Sequence, residues 1–110
     1  MVEKTILNFL KEKGVKAYME ETGDMPESFV LIEKLGSDES NHIQSSLIAI
    51  QSFSSTLYKT AALNEKVKEI MRDIIKLDDI TGCQINSDYN YPDVTRKRYR
   101  YQALFDIFHY

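Results

Sequence analysis

The residues best suited to chemistry crowd into one stretch, NSDYNYPDVTRKRYRYQ, residues 86–102. It holds four of the seven tyrosines and, at Arg96, Lys97, Arg98 and Arg100, four cations in five positions. Arginine neutralises phosphate and tyrosine stacks on bases, so interleaving the two suits a nucleic-acid surface. The same residues also suit a strand with two dissimilar faces, because successive side chains of a strand point in opposite directions. At that period Tyr99, Tyr101, Ala103, Phe105 and Ile107 share one face. Arg96, Arg98, Arg100, Gln102 and Asp106 share the other, with Leu104 and Phe108 among them. A single-strand binder needs stacking aromatics and cations on the same exposed surface. Their separation here favours tyrosines that cover helices and arginines that face out. An outward row of arginines pairs with acids, either on a neighbouring strand or on another subunit, and with 17 acidic residues in the chain a protein partner is expected.

No other constellation supplies catalytic chemistry. Phosphate-binding glycine motifs are missing, and GSDES has two acids beside its single glycine, which repels a phosphate. There is no G-x-S-x-G. His42 and His109 are far apart in sequence and neither belongs to a metal-spaced cluster. His42 is expected at the exposed start of a strand, and His109, next to last, in a frayed end. The adjacent acids Glu20–Glu21, Asp38–Glu39 and Asp78–Asp79 are read as solvated surface rather than acid–base or cation sites. Cys83 is the only cysteine, which leaves no intramolecular disulfide and no cysteine-based zinc site. It is read as a small buried hydrophobe in a reducing compartment. No catalytic residue, cofactor or metal site is assigned, and a site assembled in space around Cys83 and a histidine ranks last among the alternatives.

Composition is that of an ordinary globular protein. A chain of 110 residues with 43% apolar and 28% charged residues makes one domain, residues 1–110, with one modest core. Net charge is −3 and pI about 5.4, against the basic balance of a dedicated nucleic-acid binder. The apolar part of the N-terminus is too short and too charged for a signal sequence or a membrane span.

The elements that must position these groups follow from hydrophobic period. Val2, Ile6, Phe9 and Leu10 form one face of a helix over 2–13, with Gly14 placed for a left-handed C-terminal cap. VKAYMEE alternates as a half-buried strand, and SFVLIEKL, apolar on both faces at its centre, reads as a strand inside the sheet. GSDES reads as a polar turn. NHIQSSLIAIQSF follows as a third strand, polar then apolar, so this hairpin is expected to be long and to project beyond the core. Leu63, Val67, Ile70, Met71, Ile74 and Leu77 mark a helix to about residue 76, capped by Ser54 or Ser55. GCQINSDYNY and KRYRYQALFDIFHY are the last strands, joined by a turn at Pro92 and Asp93. The expected fold is α+β: a mixed, mainly antiparallel sheet of about five strands, two helices on one face, order α-β-β-β-α-β-β.

The leading helix, the proline before SFVLIE, the passage of SSLIAIQSFSS straight into TLYKTAALNEKVKEIM, and the closing DYNYPDVTRKRYRYQALFDI together resemble small tail-assembly proteins of tailed bacteriophages and prophages. The nearest group is the tail terminator or tail-completion proteins, including small minor capsid proteins of prophages in Gram-positive hosts. The resemblance spans nearly the whole chain and rests on element order, not on catalytic signatures. It implies a mixed α+β fold and a homo-oligomeric ring, a hexamer in that family. Such a ring caps the tail tube, stops its growth and meets the head connector, with no enzymatic activity. Expected partners are further copies of the chain, the tail tube protein and the head-connector proteins, without membrane or sequence-specific nucleic acid. The place of action is the neck of the virion, assembled in the bacterial host cytoplasm. A ring contact is head-to-tail and uses two different surfaces. Candidate interface residues are Glu33, Asp38, Glu39 and His42 at the acidic hairpin and Arg96, Lys97, Arg98 and Arg100 on the basic side. The alternative is a small nucleic-acid-binding module built on the closing strand.

Overall fold

The computed structural model describes all 110 residues. Helix α1 spans Val2–Glu12. Its apolar face buries Val2, Ile6, Leu7, Phe9 and Leu10, and Gly14 ends it at φ +85°, a conformation that costs glycine little. Strand β1 is only Ala17–Tyr18, β2 is Phe29–Ser40, β3 Ile43–Ser54, β4 Ile80–Asn90 and β5 Tyr99–His109. Helix α2, Leu57–Arg72, separates β3 from β4. The five-stranded sheet has the order β1-β2-β3-β5-β4. β1 runs parallel to β2 and every other pair is antiparallel, so the sheet is mixed and the fold is α+β as expected.

The core lies between one face of the sheet and both helices. Val30, Ile32, Ile48, Ile50, Ala103, Phe105 and Ile107 from the strands meet Ile6, Leu10, Val67 and Met71 from the helices. Each fully buried aliphatic side chain contributes about 1.5–3 kcal/mol relative to exposure. A polar network fixes α2 laterally. Asp88 of β4 accepts from Asn64 Nδ2 and Lys68 Nζ, both at 3.0 Å, and Lys68 also pairs with Glu65 at 2.8 Å. These carboxylates hold the Lys68 ammonium above its usual pKa, first through the hydrogen bond to Glu65 and then through that to Asp88, against a burial that lowers it.

Three local expectations give way. GSDES is not a turn: β2 continues through it to Ser40, and Asn41 and His42 alone reverse the chain, at φ 52° and 67°. Two central residues with positive φ make the turn whose twist matches the flanking strands. Polar residues continue the strand because β3 supplies ladder partners, Ser37 opposite Ser46 and Asp38 opposite Ser45. The cap of α2 is Thr56, whose hydroxyl accepts from Lys59 N at 3.1 Å, and the α-helix yields at Asp73 to a 3₁₀ turn over Ile74–Lys76. VKAYMEE keeps two residues of strand, because the chain leaves the sheet edge after Tyr18.

Three bulges decide which way side chains point. Pairing shifts between Lys34 and Gly36, Ile80 and Gly82, and Ile85 and Ser87. An extra residue flips the alternation of everything beyond it. Ile85 pairs with Phe105 on the helix-covered face, but Ser87 pairs with Leu104 on the opposite face. Tyr89 and Tyr91 therefore emerge on the face that no helix covers.

Candidate functional site

The uncovered face carries its strongest chemistry at the end formed by the β4–β5 hairpin. Four residues, Val94–Lys97, form its loop, closed by paired backbone bonds between Asp93 and Arg98 at 3.0 Å. Asp93 Oδ1 accepts from Arg96 N at 3.2 Å, and Lys97 adopts φ 55°. Asp93 thus belongs to the turn, as the sequence suggests, and steadies it from within.

Beneath this hairpin Phe29 and Phe53 stack with ring centroids 4.7 Å apart. The guanidinium of Arg98 lies 4.5 Å above Phe53. Arg98 then forks to two acids: Nη1 and Nη2 to Glu21 at 2.6 and 3.1 Å, Nη2 and Nε to Asp93 at 2.8 and 3.3 Å. Arg96 adds a bond to Glu21 at 2.7 Å. The fork of Arg98 holds the Glu21 and Asp93 carboxyls below their usual pKa values, against a burial that pushes them up. Glu21 sits in the segment joining β1 to β2, so this cluster ties that segment across the sheet to β5.

Arg100 is held differently. Its Nε donates to Tyr91 O at 2.7 Å, and its guanidinium lies 4.1 Å from the Tyr91 ring and 6.0 Å from Phe53. Tyr91 in turn meets Tyr89 edge-on at 5.9 Å. Tyr89 Oη accepts from Gln102 Nε2 at 2.6 Å, and Gln102 Oε1 accepts from Gln51 at 2.8 Å. The result is a cation fixed between aromatic rings, with Tyr89 and Tyr91 40% and 45% exposed.

The opposite end of the molecule is the tip of the β2–β3 hairpin. Residues Glu33 to Gln44 are all exposed. Glu33, Asp38 and Glu39 lie here, His42 sits in the turn itself rather than at the expected start of the strand, and none joins an ion pair. Leu35 and Ile43 leave aliphatic surface on this arm, 48% and 39% exposed.

The structure therefore corrects the reading of the arginines. Arg98 and Arg100 do sit opposite the core and Arg96 lies in the loop rather than on the strand, but the acids that meet Arg96 and Arg98 are Glu21 and Asp93 of the same chain. Glu21 is a site residue that sequence reasoning passed over as solvated surface. Tyr101 is half-buried on the helix-covered face, whereas Tyr99 is exposed rather than packed under the helices. Tyr89 and Tyr91 share a surface with the arginines, so cations and aromatics are not separated after all.

His109 is not frayed. It pairs in register with Gln44 and Ile80 and is buried, its Nε2 2.9 Å from Ser46 Oγ. A Ser–His pair is the beginning of a nucleophilic site. Here Ser46 is 2% exposed, within the β-ladder between Ser37 and Ile107, where no substrate carbon reaches it. The cavity of about 510 Å³ beside His109 is lined by Glu3, Lys34, Gln44 and Asp79 but not by Ser46. Cys83 is half-buried, bonded to neither histidine, and its thiol is pushed up to about 11 by burial and by Asp106. A thiol held protonated is no nucleophile at neutral pH. No three His, Cys, Asp or Glu side chains converge to hold a metal ion. No helix is long and apolar enough to cross a membrane.

No protein-family model and no curated protein matches the chain.

Proposed function

We propose that the chain is a structural subunit of a bacteriophage or prophage neck. Copies form a ring, a hexamer by the resemblance stated above, that caps the tail tube and joins it to the head connector. The reading assigns it no enzymatic step and no cofactor. Its place is the virion neck, assembled in the host cytoplasm. Beyond the resemblance, one observation carries it: the β2–β3 arm extends past the core with exposed acids and aliphatics that have no partner within the chain. An arm of that kind suits a contact with another molecule.

The test is tail-tube growth in vitro, read by electron microscopy of tube length with native mass spectrometry of the added protein. Stoichiometric protein is expected to halt tube growth and to appear as a ring at the tube end. Tubes that grow to the same length with and without it, with the protein monomeric throughout, defeat the reading.

A second reading, nucleic-acid binding, gains one observation: Arg100 stands with Tyr89 and Tyr91 on one exposed surface. Against it stand the net charge of −3 and the two carboxylates, Glu21 and Asp93, in the same cluster, which repel a phosphate backbone. Filter binding at low salt decides, since phosphate contacts weaken steeply as salt rises.

A further inference from the structure

We propose that the β2–β3 tip of one copy docks on the β4–β5 end of the next, with the Asp38 and Glu39 carboxylates received by Arg100 and Lys97. This inference rests on the ring reading and specifies its contact.

The receiving end has cations of two kinds. Arg96 and Arg98 already meet Glu21 and Asp93, so their role is to build the end. Arg100 and Lys97 join no ion pair. Arg100 has only its Nε engaged, to Tyr91 O, and the stacked Tyr91 ring fixes the guanidinium plane. Both terminal amino groups remain to donate, and a planar fork held in place is the group that binds a carboxylate through two parallel bonds. Holding it in advance lowers the ordering cost of the contact. Lys97, exposed at the loop, adds a point charge.

The inserting end matches it in charge and in apolar surface. Asp38 and Glu39 are exposed, and the only side-chain bond of the two is Asp38 Oδ1 accepting from Glu39 N at 2.9 Å. Leu35 and Ile43 flank them. The receiving end offers Tyr91 and Val94, 45% and 78% exposed. Aliphatic and aromatic surfaces with charges at the rim compose an ordinary protein interface.

Geometry makes the partner a second copy. In the β3–β5 register Gln44 lies against His109 and Ser54 against Tyr99, so the two hairpin turns lie at opposite ends of a molecule 43 Å long and 25 Å wide. One chain cannot close this contact on itself. Repeated head-to-tail, it closes into a ring if the rotation per step permits.

Two charge-reversed variants test it: Asp38→Lys/Glu39→Lys at the tip, and Lys97→Glu/Arg100→Glu at the receiving end. Sedimentation velocity and native mass spectrometry are read over a concentration series, with and without tail tubes, and circular dichroism checks folding. Each variant alone is expected to raise the concentration needed for assembly by about tenfold or more, as charge pairs across an interface do when opposed. An equimolar mixture is expected to recover assembly, since every contact then joins opposite charges. Lys97→Glu alone, which removes no bond within the chain, keeps the test sound if Arg100→Glu unfolds. Rings that form equally in all variants overturn the proposed contact and leave the ring reading standing. A wild-type chain that stays monomeric at every concentration and on tubes overturns both. Loss of oligonucleotide binding in the Lys97 and Arg100 variants, with assembly unchanged, assigns that end to nucleic acid instead.

Discussion

The two hairpins use similar residues in opposite ways. The β4–β5 hairpin places its charges over a buried aromatic pair, and Arg98, Glu21 and Asp93 satisfy one another there. The β2–β3 hairpin is longer and turns in two residues, and its Glu33, Asp38 and Glu39 stand in water without partners. At the first end the charges of Arg96, Arg98, Glu21 and Asp93 are part of the fold, and only Lys97 and Arg100 are left without an acid. Charge at the second end is not part of the fold, and that makes it available to another molecule. The contrast teaches that a charged residue points to a contact only after its partners within the chain have been counted.

The sharpest way to break the contrast is to remove the base of the first end. Phe53 is 2% exposed, stacked on Phe29 and covered by Arg98. Phe53→Ala is expected to destabilise by about 3–5 kcal/mol, the range for deleting a buried aromatic. The measurement is urea unfolding, and a loss near zero contradicts the description of this end as built on a buried aromatic pair.

Removing the clamp comes next. Arg98→Ala deletes the fork to Glu21 and Asp93 and the cover on Phe53, and is expected to cost about 1–3 kcal/mol. Glu21→Gln tests the same cluster through pH. The folded state lowers the pKa of Glu21, chiefly through the Arg98 hydrogen bond. Its contribution is therefore fully present above the ordinary carboxylate range and disappears as pH falls through the lowered value. Thermal unfolding of wild type and variant is expected to differ most near neutral pH and to converge in acid. A gap that widens in acid reverses the sign and excludes this account.

How much of this was legible before folding varies by region for physical reasons. Helices α1 and α2 were readable because both bury one stripe against the sheet, and a stripe leaves a period in the sequence. The closing strand was readable for the same reason: Ala103, Phe105 and Ile107 are core, and Arg98 and Arg100 oppose them. GSDES was not, because an arm wetted on both faces has no alternation to read, and its strand character comes from pairing with β3. Strand period in the sequence assigns a face only to Tyr99 and Tyr101; Tyr89 and Tyr91 join the arginines because of the bulge between Ile85 and Ser87, and no composition signal announces that extra residue. Glu21 lies 77 positions from Arg98, and such a pair is a product of tertiary structure alone.

The second end is probed by its turn. Asn41 and His42 both hold positive φ, 52° and 67°. Asparagine tolerates that conformation better than histidine does, and glycine best of all. His42→Gly is expected to stabilise by roughly 0.5–1 kcal/mol, the relieved strain outweighing the entropy of glycine in the unfolded chain. Urea midpoints of the two proteins decide it. A loss in the variant means that the His42 side chain makes a contact the folded chain needs.

The smallest effect is the one that most sharpens the comparison. Asp38→Ala and Glu39→Ala remove exposed acids that join no ion pair. Each is expected to change monomer stability by less than about 0.5 kcal/mol, the usual limit for surface positions away from caps and networks. The measurement belongs at protein concentrations where the wild type is monomeric, because assembly adds stability by mass action and would mix the two quantities. A near-zero effect on the monomer, beside the loss of more than 1 kcal/mol expected for Arg98→Ala, separates charge that holds the fold from charge free for a partner. If Asp38 or Glu39 instead proves as costly to remove as Arg98, the tip is tied within the chain, and the acids proposed to reach a second copy are already committed at home.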